Sequence, residues 1–283
     1  MILITGSTGN VGSEVVNQLA SAGHKVRALV RDTKEASGKF PTTVDIVVGD
    51  LDNIDSLVNA MKGVERVYLL APMTPSIVKQ EANVIDAAKR ASVKHVVKHS
   101  VLGAQYEAIA MAKWHRTGEK TLESSGVAWT HLRPSGFFTN TLGWAQMIKN
   151  GGTVYYPTGD GKLGMVDTRD IAAVAVKTLT ENGHEAKSYE ITGPKALSTQ
   201  DQVDIIGRTI GKPVKFVNVP DQAARDSMLG QGMQTQIVDA MIEFCGIIRA
   251  GQAALVTDTV QKLTGRQPRT FEAWVKENTN AWK

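Results

Sequence analysis

The sequence lacks several features that define other classes of protein. Its 283 residues include one cysteine, Cys245, so no internal disulfide can form and a reducing compartment is expected. Cys245 lies in the apolar stretch 241–248, which favours a buried structural thiol. No apolar run approaches the ~18 residues of a membrane span, and strand-like residues begin at Met1, which leaves no room for a signal peptide. We therefore expect a cytoplasmic protein with no membrane partner.

A strong excess of charge is also missing. The 32 Lys and Arg residues against 28 Asp and Glu residues leave a net charge of +4, spread along the chain. A nucleic-acid-binding protein more often concentrates basic residues on one face, so no nucleic-acid partner is expected. No His, Cys or Asp cluster has the spacing of a metal site, and there is no Gly-x-Ser-x-Gly elbow. The small positive excess fits a site for an anionic cofactor.

Strand-like and helical patterns alternate in the first half of the chain. The predicted strands are Ile2–Thr5, Lys25–Val30, Asp45–Val48, Arg66–Leu70, His95–His99 and Trp129–Leu132. The predicted helices are Val11–Ala22, Ile54–Met61, Ile77–Ala91 and His115–Ser124. This order predicts an α/β fold with a Rossmann-type, doubly wound parallel sheet. The continuous apolar runs 46–48 and 67–70 predict strands that are buried on both sides.

The alternation of strand-like and helical patterns becomes less regular after about Pro134. We predict a nucleotide-binding domain over 1–133, to which a later segment, about 153–190, returns. Residues 134–283 are predicted to form mainly a smaller C-terminal α/β substrate-binding region. Within it, Ser198-Thr199-Gln200-Asp201 reads as a capping box that opens a helix ending near Gly211.

A glycine-rich turn follows the first strand directly and opens the first helix. Its residues are Gly6-Ser7-Thr8-Gly9-Asn10-Val11-Gly12. In this setting the first glycine permits a tight turn, the second lets the backbone approach a pyrophosphate, and the third lets helix and strand pack closely. The free amides at the start of the helix then face the phosphates. The turn therefore predicts a dinucleotide site.

The end of the second strand bears on the choice of dinucleotide. An acidic side chain there favours NAD, whereas an arginine can pair with the 2′-phosphate of NADP. Arg31 occupies this position and Asp32 follows it. NADP(H) is the preferred prediction, with use of NAD(H) left open.

Two further strand ends are expected at the cofactor, because ligands of open α/β sheets lie beyond the carboxyl ends of the strands. After the third strand, Asp50 is predicted to accept from the adenine amino group and Leu51 to pack on the ring. Asp50 has an equal alternative as the cap of the helix near Ile54. After the fourth strand, the segment that would line the ribose and nicotinamide is Leu70-Ala71-Pro72, followed by Met73.

These residues resemble the extended and atypical short-chain dehydrogenase/reductase superfamily. More narrowly, the chain is similar to the NmrA-like group that includes quinone reductases, azoreductases and triphenylmethane dye reductases. The resemblance rests on the glycine turn and on Val30-Arg31-Asp32, Gly49-Asp50, 93–97, 130–134 with Phe137, Phe138 and Asn140, 166–171, and 268–272. It implies that Pro134 and Phe137 form part of the nicotinamide wall. A homodimer is left open.

One departure from the superfamily concerns its catalytic residues. Members that act on alcohols usually carry Tyr-x-x-x-Lys on the helix after the fifth strand, and the alignment places Met111 and His115 at those two positions. Tyr106 and Lys113 are seven residues apart, which does not place them on one helical face. Ser100 stands where the superfamily often has a catalytic serine. We therefore predict that the dyad is absent and name His115 and Ser100 as the candidate catalytic residues.

The missing dyad restricts the reaction. A ketone that accepts hydride becomes a strongly basic alkoxide and benefits from a positioned acid. A quinone becomes a delocalised phenolate-like anion, and phenols ionise near ~10 in water. The sequence therefore favours conjugated acceptors held in an apolar slot, for which the candidate lining residues are Met73, Met111, Trp114, Phe137, Phe138 and Trp144. For each of these residues alone, ordinary core packing is the competing interpretation.

Three functions remain open at this point. The first is an NADPH-dependent reductase of a quinone, azo or triphenylmethane-type acceptor. The second is a non-catalytic redox sensor that binds NADP(H), as some NmrA-like members are. The third is an imine or activated-carbonyl reductase that uses His115 as an acid. For His115, a structural role is the alternative to each catalytic one.

Overall fold

The computed structural model describes every residue from Met1 to Lys283. The strands are β1 Ile2–Ile4, β2 Val26–Val30, β3 Asp45–Val48, β4 Arg66–Leu69, β5 His95–His99, β6 Ala128–Pro134, β7 Thr153–Tyr156, β8 Lys162–Leu163, β9 Lys187–Ile191, β10 Leu197–Ser198 and β11 Lys215–Asn218. The helices are α1 Asn10–Ser21, α2 Ile54–Ala60, α3 Ile77–Arg90, α4 Ala110–Glu123, α5 Ala145–Gly151, α6 Thr168–Thr180, α7 Thr199–Ile210, α8 Asp221–Gly230, α9 Thr235–Arg249, α10 Thr259–Thr264 and α11 Phe271–Glu277. No helix combines the length and the apolar character that crossing a bilayer would require.

The chain divides into two compact units. Unit 1 comprises Met1–Pro134 and Thr168–Glu190, and unit 2 comprises Ser135–Asp167 and Ile191–Lys283. The segment predicted to return to the first domain, about 153–190, therefore begins too early, because only Thr168–Glu190 belongs to unit 1. Residues 153–167 belong to unit 2 because β7 pairs in parallel with β11, a strand of the C-terminal half.

Unit 1 is built around a seven-stranded sheet of order β3-β2-β1-β4-β5-β6-β9. Each pairing among β1 to β6 is parallel. The order reverses between β1 and β4, as in doubly wound nucleotide-binding folds, so the predicted Rossmann-type architecture is confirmed. Helices α2, α3 and α4 contribute to one apolar cluster with the strands, and α1 packs against α6.

One prediction about burial is wrong. The apolar run 46–48 was expected to be covered on both sides, yet Ile46 is 40% and Val48 is 55% exposed. Ile46 and Val48 are two residues apart, so they point to the same face of β3, and this face is left uncovered at the edge strand of the sheet. Of the run 67–70, residues 67–69 lie in the inner strand β4 and are fully buried, as predicted, whereas Leu70 follows the strand and is half-buried.

Unit 2 has its own aromatic core. Phe138 packs against Phe271 with ring centroids 5.2 Å apart, and Phe271 stacks on Trp274 at 5.9 Å. The predicted capping box is present at the start of α7: Ser198 Oγ accepts from the Asp201 amide and the Asp201 carboxylate accepts from the Ser198 amide. Cys245 is buried, and burial raises the pKa of its thiol to about 11, which agrees with a structural role.

Candidate functional site

The glycine turn joins β1 to α1, and two of its glycines are required by the protein itself. Gly6 has a φ of +59°, in the left-handed region that side chains rarely adopt. A Cβ atom on Gly12 would lie 2.1 Å from the Gly6 carbonyl oxygen. The first turn of α1 therefore lies directly on the turn, and neither backbone segment has room for a side chain.

Gly9 differs, because nothing in the protein requires a glycine there. Its φ of −82° suits any residue, and a Cβ atom would meet only the Gly6 carbonyl oxygen, at 3.4 Å. Gly9 is exposed and is the N-cap of α1, where no side chain caps the helix. The first amides of α1 thus lie at an open surface that a phosphate group can approach closely. These features fit a pyrophosphate.

Buried hydrogen bonds hold the turn at the sheet. Ser7 Oγ donates to the Leu29 carbonyl at 2.7 Å, so this hydroxyl ties the turn to β2. Thr5 Oγ1 donates to the Leu70 carbonyl at 2.9 Å and accepts from the Leu70 amide at 2.8 Å. The turn after β1 and the end of β4 therefore meet at the point where the strand order reverses, which is where doubly wound folds bind ligands.

Arg31 and Asp32, at the end of β2, have separate roles. The Asp32 carboxylate accepts from the Lys34 amide at 2.9 Å and caps a short 3-10 helix, Thr33–Ala36. The Arg31 side chain is 76% exposed, and its closest ion-pair partner is Glu35, 3.7 Å away. Exposed ion pairs of this kind contribute little free energy. Arg31 is therefore the residue that can turn toward an anionic group.

Asp50 lies exposed at the end of β3. Its alternative interpretation as a helix cap is wrong, because Asn53 caps α2 by accepting from the Ser56 amide. Asp50 Oδ1 instead accepts from the Asp52 amide at 2.9 Å, which orders the turn after β3. Leu51 is half-buried beside it. The predicted contacts of Asp50 and Leu51 with an adenine stay predictions.

A buried charged cluster lies between β5, α3 and α4. Lys98 on β5 is completely buried, and its Nζ donates to Glu81 Oε1 on α3 at 2.6 Å. The same ammonium lies 3.3 Å from His115 Nδ1 on α4. Burial first, and then the Lys98 charge, lower the pKa of His115 well below its usual value. His115 is therefore a neutral imidazole near pH 7.

Gly118 makes room for this cluster. A Cβ atom there would lie 1.8 Å from Glu81 Oε2 and 2.8 Å from Lys98 Cε. Glu81 Oε2 has no hydrogen-bond partner, and burial raises the pKa of Glu81 while the Lys98 ammonium opposes that shift. The absence of a side chain at Gly118 thus permits α3, α4 and β5 to share one buried ion pair.

Ser100 belongs to a second network, centred on Glu119. Ser100 Oγ donates to Glu119 Oε1 at 2.7 Å, and Arg133 holds both Glu119 oxygens at 2.9 and 2.8 Å. Burial alone raises the pKa of Glu119, but the Arg133 hydrogen bonds, the nearby His131 and the Ser100 hydroxyl outweigh it and lower the pKa to about 2. The Ser100 hydroxyl therefore donates its hydrogen bond to a carboxylate that stays ionised.

The structure also brings together three groups that the spacing in the sequence did not connect. Ligand atoms of Glu119, Glu123 and His131 lie within 4.8 Å of one another. Arg116 donates to both glutamates, and Arg133 donates to Glu119. Because guanidinium groups already satisfy these carboxylates, the cluster is arranged as an ion-pair network.

The predicted lining residues fall into two groups. Phe138 and Trp144 are only 2% and 8% exposed and lie in the core of unit 2, which favours packing as their role. The residues that remain half-buried are Met73, Met111, Trp114 and Phe137. Pro134 is buried at the end of β6, and Ala71 is buried next to exposed Pro72. Tyr106 is 75% exposed, and Lys113 is exposed on α4.

Sequence reasoning missed Lys98, Glu81 and Gly118. A signal was available for the two charged residues. Lys98 follows Val96 and Val97 in a central strand, and Glu81 lies at helical spacing between the buried residues Ile77 and Ile85. Charged residues are almost never fully buried unless they are paired, so these two positions in phase with the core indicated an ion pair.

Comparison with known proteins gives consistent matches along the whole chain. The model of the NmrA-like family matches residues 1–275. The chain is 39% identical to an NAD(P)H azoreductase of Xenophilus azovorans over 100% of this chain and 99% of that protein. It is 36% identical to a (4-alkanoyl-5-oxo-2,5-dihydrofuran-3-yl)methyl phosphate reductase of Streptomyces griseus, again over 100% and 99%. The NADPH complex of an Escherichia coli NADPH-dependent quinone oxidoreductase superposes with a TM-score of 0.90 at 28% identity, covering 98% of this chain and 99% of that one.

Alanine substitutions at Gly9 and Gly12 separate ligand contact from folding. Gly9→Ala should lower the free energy of unfolding by ~1 kcal/mol at most, because alanine is a poorer N-cap than glycine. It should weaken NADPH binding about tenfold or more, ~1.4 kcal/mol, because the new methyl group would meet the ligand. Gly12→Ala should also destabilise the protein by roughly 1–3 kcal/mol, because its Cβ collides with backbone. Calorimetric titration and denaturant unfolding measure the two effects. Unchanged NADPH affinity in Gly9→Ala would contradict the proposed approach of a phosphate.

Gly118→Ala tests the packing of the buried ion pair. Alanine is the better helix former by ~1 kcal/mol, yet the clash with Glu81 and Lys98 should dominate and destabilise the protein by about 1–3 kcal/mol. Gly246→Ala on α9 is the matched control, because its Cβ would meet only a side-chain nitrogen of Arg249, at 3.8 Å. The control should be neutral or slightly stabilising. Equal denaturation midpoints for the two variants would show that the buried ion pair does not require a glycine at position 118.

Proposed function

Because the chain belongs to the NmrA-like family, whose model matches residues 1–275, we propose that it is an NADPH-dependent reductase of conjugated, electron-poor acceptors. Quinones, azo compounds and triphenylmethane-type dyes are the acceptor classes. That the chain is an NAD(P)H-dependent oxidoreductase is supported by relatives named as azoreductase and quinone oxidoreductase. NADPH, when bound, supplies the hydride.

The observation that carries the proposal is the glycine turn with its open face at Gly9. The amides of the first turn of α1 bind the pyrophosphate, and Gly9 permits its close approach. Arg31 pairs with the 2′-phosphate, since the neighbouring Asp32 carboxylate is occupied as a helix cap. The end of β4, from Leu70 to Pro72, lies next to the turn and lines the cofactor.

The acid groups near the ends of β5 and α4 bear on the choice of acceptor. Ser100 donates its proton to an ionised carboxylate, and His115 is a neutral imidazole with a strongly lowered pKa. Neither group is suited to protonate the basic alkoxide that a simple ketone would form. An imidazole N–H can still donate a hydrogen bond to a delocalised anion, whose proton then comes from solvent. The electrostatic environment therefore favours conjugated acceptors.

The names of the relatives support the same class of acceptor. An azo group, a quinone, and a dihydrofuran ring with oxo and alkanoyl groups are all conjugated electron acceptors. The three compounds that these names describe differ widely in shape and charge. What they share is a conjugated, electron-poor group, and this shared group is what supports the proposed class of acceptor.

A screen of NADPH oxidation tests the proposal. The panel comprises quinones, azo dyes, triphenylmethane dyes, a cyclic imine and a simple ketone, each repeated with NADH. We expect oxidation of NADPH with the conjugated acceptors and none with the ketone, and loss of activity in Gly12→Ala. Tight NADPH binding without turnover of any acceptor would support the redox-sensor hypothesis instead. Reduction of the imine that is abolished in His115→Ala would support the third hypothesis.

Arg31→Gln tests the preference for NADPH. Loss of a charge-assisted hydrogen bond, ~1.5–3 kcal/mol, should weaken NADPH binding roughly 10- to 100-fold and leave NADH binding nearly unchanged. Glu35→Gln is the matched control, because it removes the ion-pair partner of Arg31 and should preserve or tighten NADPH binding. The dissociation constants of both dinucleotides, measured by fluorescence titration, check the prediction. An equal loss for NADH and NADPH would exclude a specific contact with the 2′-phosphate.

A further inference from the structure

The Lys98 ammonium has one acceptor for each of its three hydrogens. Its Nζ lies 2.6 Å from Glu81 Oε1, 3.2 Å from the His99 carbonyl oxygen and 3.3 Å from His115 Nδ1. An ammonium has three donors and no lone pair, so it can only donate in all three contacts. Lys98 is 0% exposed, and a buried charge of this kind is tolerated only when it is paired.

The contact with Lys98 determines which nitrogen of His115 carries the hydrogen. Because Lys98 can only donate, His115 Nδ1 must be an acceptor and must lack a hydrogen. In a neutral imidazole the hydrogen then lies on Nε2, which becomes the donor nitrogen of the ring. Lys98 therefore selects one of two tautomers that are otherwise similar in free energy.

We propose that Lys98 is a positioning residue that holds His115 as a neutral Nε2–H hydrogen-bond donor for the acceptor or the cofactor. The proposal rests on the proposed function for the purpose of this donor. His115 lies beside Lys98 and the His99 carbonyl, at the carboxyl end of β5. The glycine turn after β1 and the end of β4 also lie at the carboxyl ends of the parallel strands. Doubly wound folds bind their ligands beyond these ends.

The benefit for a reductase is a donor whose charge does not change with pH. The titratable and charged groups that the structure places against His115 are Glu81 on α3 and Lys98 and His99 on β5. Arg116 and Glu119 follow His115 on α4 and pair with each other, and Arg133 on β6 pairs with Glu119. Among them, Lys98 opposes protonation of the ring, whereas the Glu81 carboxylate, 3.9 Å from Nδ1, favours it. With both present, and with burial acting in the same direction as Lys98, the pKa of the ring stays well below its usual value and the ring is neutral.

Removing Lys98 should change this balance. In Lys98→Met nothing opposes the rise in the Glu81 pKa that burial causes, so Glu81 and His115 should share one proton and titrate as a pair. The pair would take up this proton as the pH falls, an ionisation that the wild type lacks. In the double variant Lys98→Met/Glu81→Gln both charges are gone. The buried ring should then stay neutral, with its hydrogen distributed between the two nitrogens.

Nitrogen NMR of histidine in the ligand-free protein tests the inference. The protein is labelled with ¹⁵N-histidine, and the His115 signals are assigned by their loss in His115→Gln. We expect Nδ1 without a hydrogen and Nε2 with one in the wild type, unchanged from pH 8 to about 5. The double variant should lose this fixed pattern, and it decides the matter if Lys98→Met fails to fold. A hydrogen on Nδ1 in the wild type, or wild-type signals in the double variant, would overturn the proposal.

The pH profile of quinone reduction gives the functional readout. The wild-type kcat/KM should be flat over the same range, whereas Lys98→Met should show a new ionisation that matches the titration of the Glu81–His115 pair seen by NMR. A purely structural ion pair would lower kcat/KM equally at every pH, and that result would refute the positioning role. If no acceptor is reduced at all, the proposed function fails, while the NMR result still decides whether Lys98 fixes the tautomer.

Discussion

The contact between α1 and the turn that precedes it is the constraint on which the rest of the site depends. Gly6 and Gly12 leave no space for a side chain between the two segments, so the first amides of α1 are fixed relative to the end of β1. Hydrogen bonds from Thr5 and Ser7 fix the same turn to β4 and β2. The proposed pyrophosphate site therefore lies at the point where the strand order reverses, and its backbone is fixed by contacts within the protein.

Buried charge organises the neighbouring strands and helices in a second way. The Lys98–Glu81 pair joins β5 to α3, and the Glu119–Arg133 pair joins α4 to β6. Charges taken out of water are costly, and Lys98 and Glu119 are each compensated by several directed contacts. The same contacts orient the two side chains that sequence reasoning chose as catalytic candidates, because Ser100 donates to Glu119 and His115 accepts from Lys98. The ion pairs that join these strands and helices therefore also determine the hydrogen-bond partners of Ser100 and His115.

Local patterns predicted the strands and helices of unit 1 well, because alternation of apolar runs and amphipathic helices is a property of neighbouring residues. β3 and β5 were predicted with the bounds that the structure has. The same patterns failed where a distant partner decides the outcome. Ile46 and Val48 are exposed because one face of the edge strand β3 is left uncovered, and residues 153–167 join unit 2 because β7 pairs with β11. Strand order and strand pairing depend on contacts between distant segments, so no short segment of the sequence predicts them.

By itself the sequence determined the class of fold, the glycine turn and the arginine that follows β2, since each depends on a few adjacent residues with a fixed geometry. The tertiary structure alone decided the environment of the candidate catalytic groups. Lys98, Glu81 and His115 are separated along the chain, and only the packing of α3 and α4 on β5 brings them within hydrogen-bond distance. The charge state and tautomer of a buried histidine depend on its neighbours in space, and the order of residues does not reveal them.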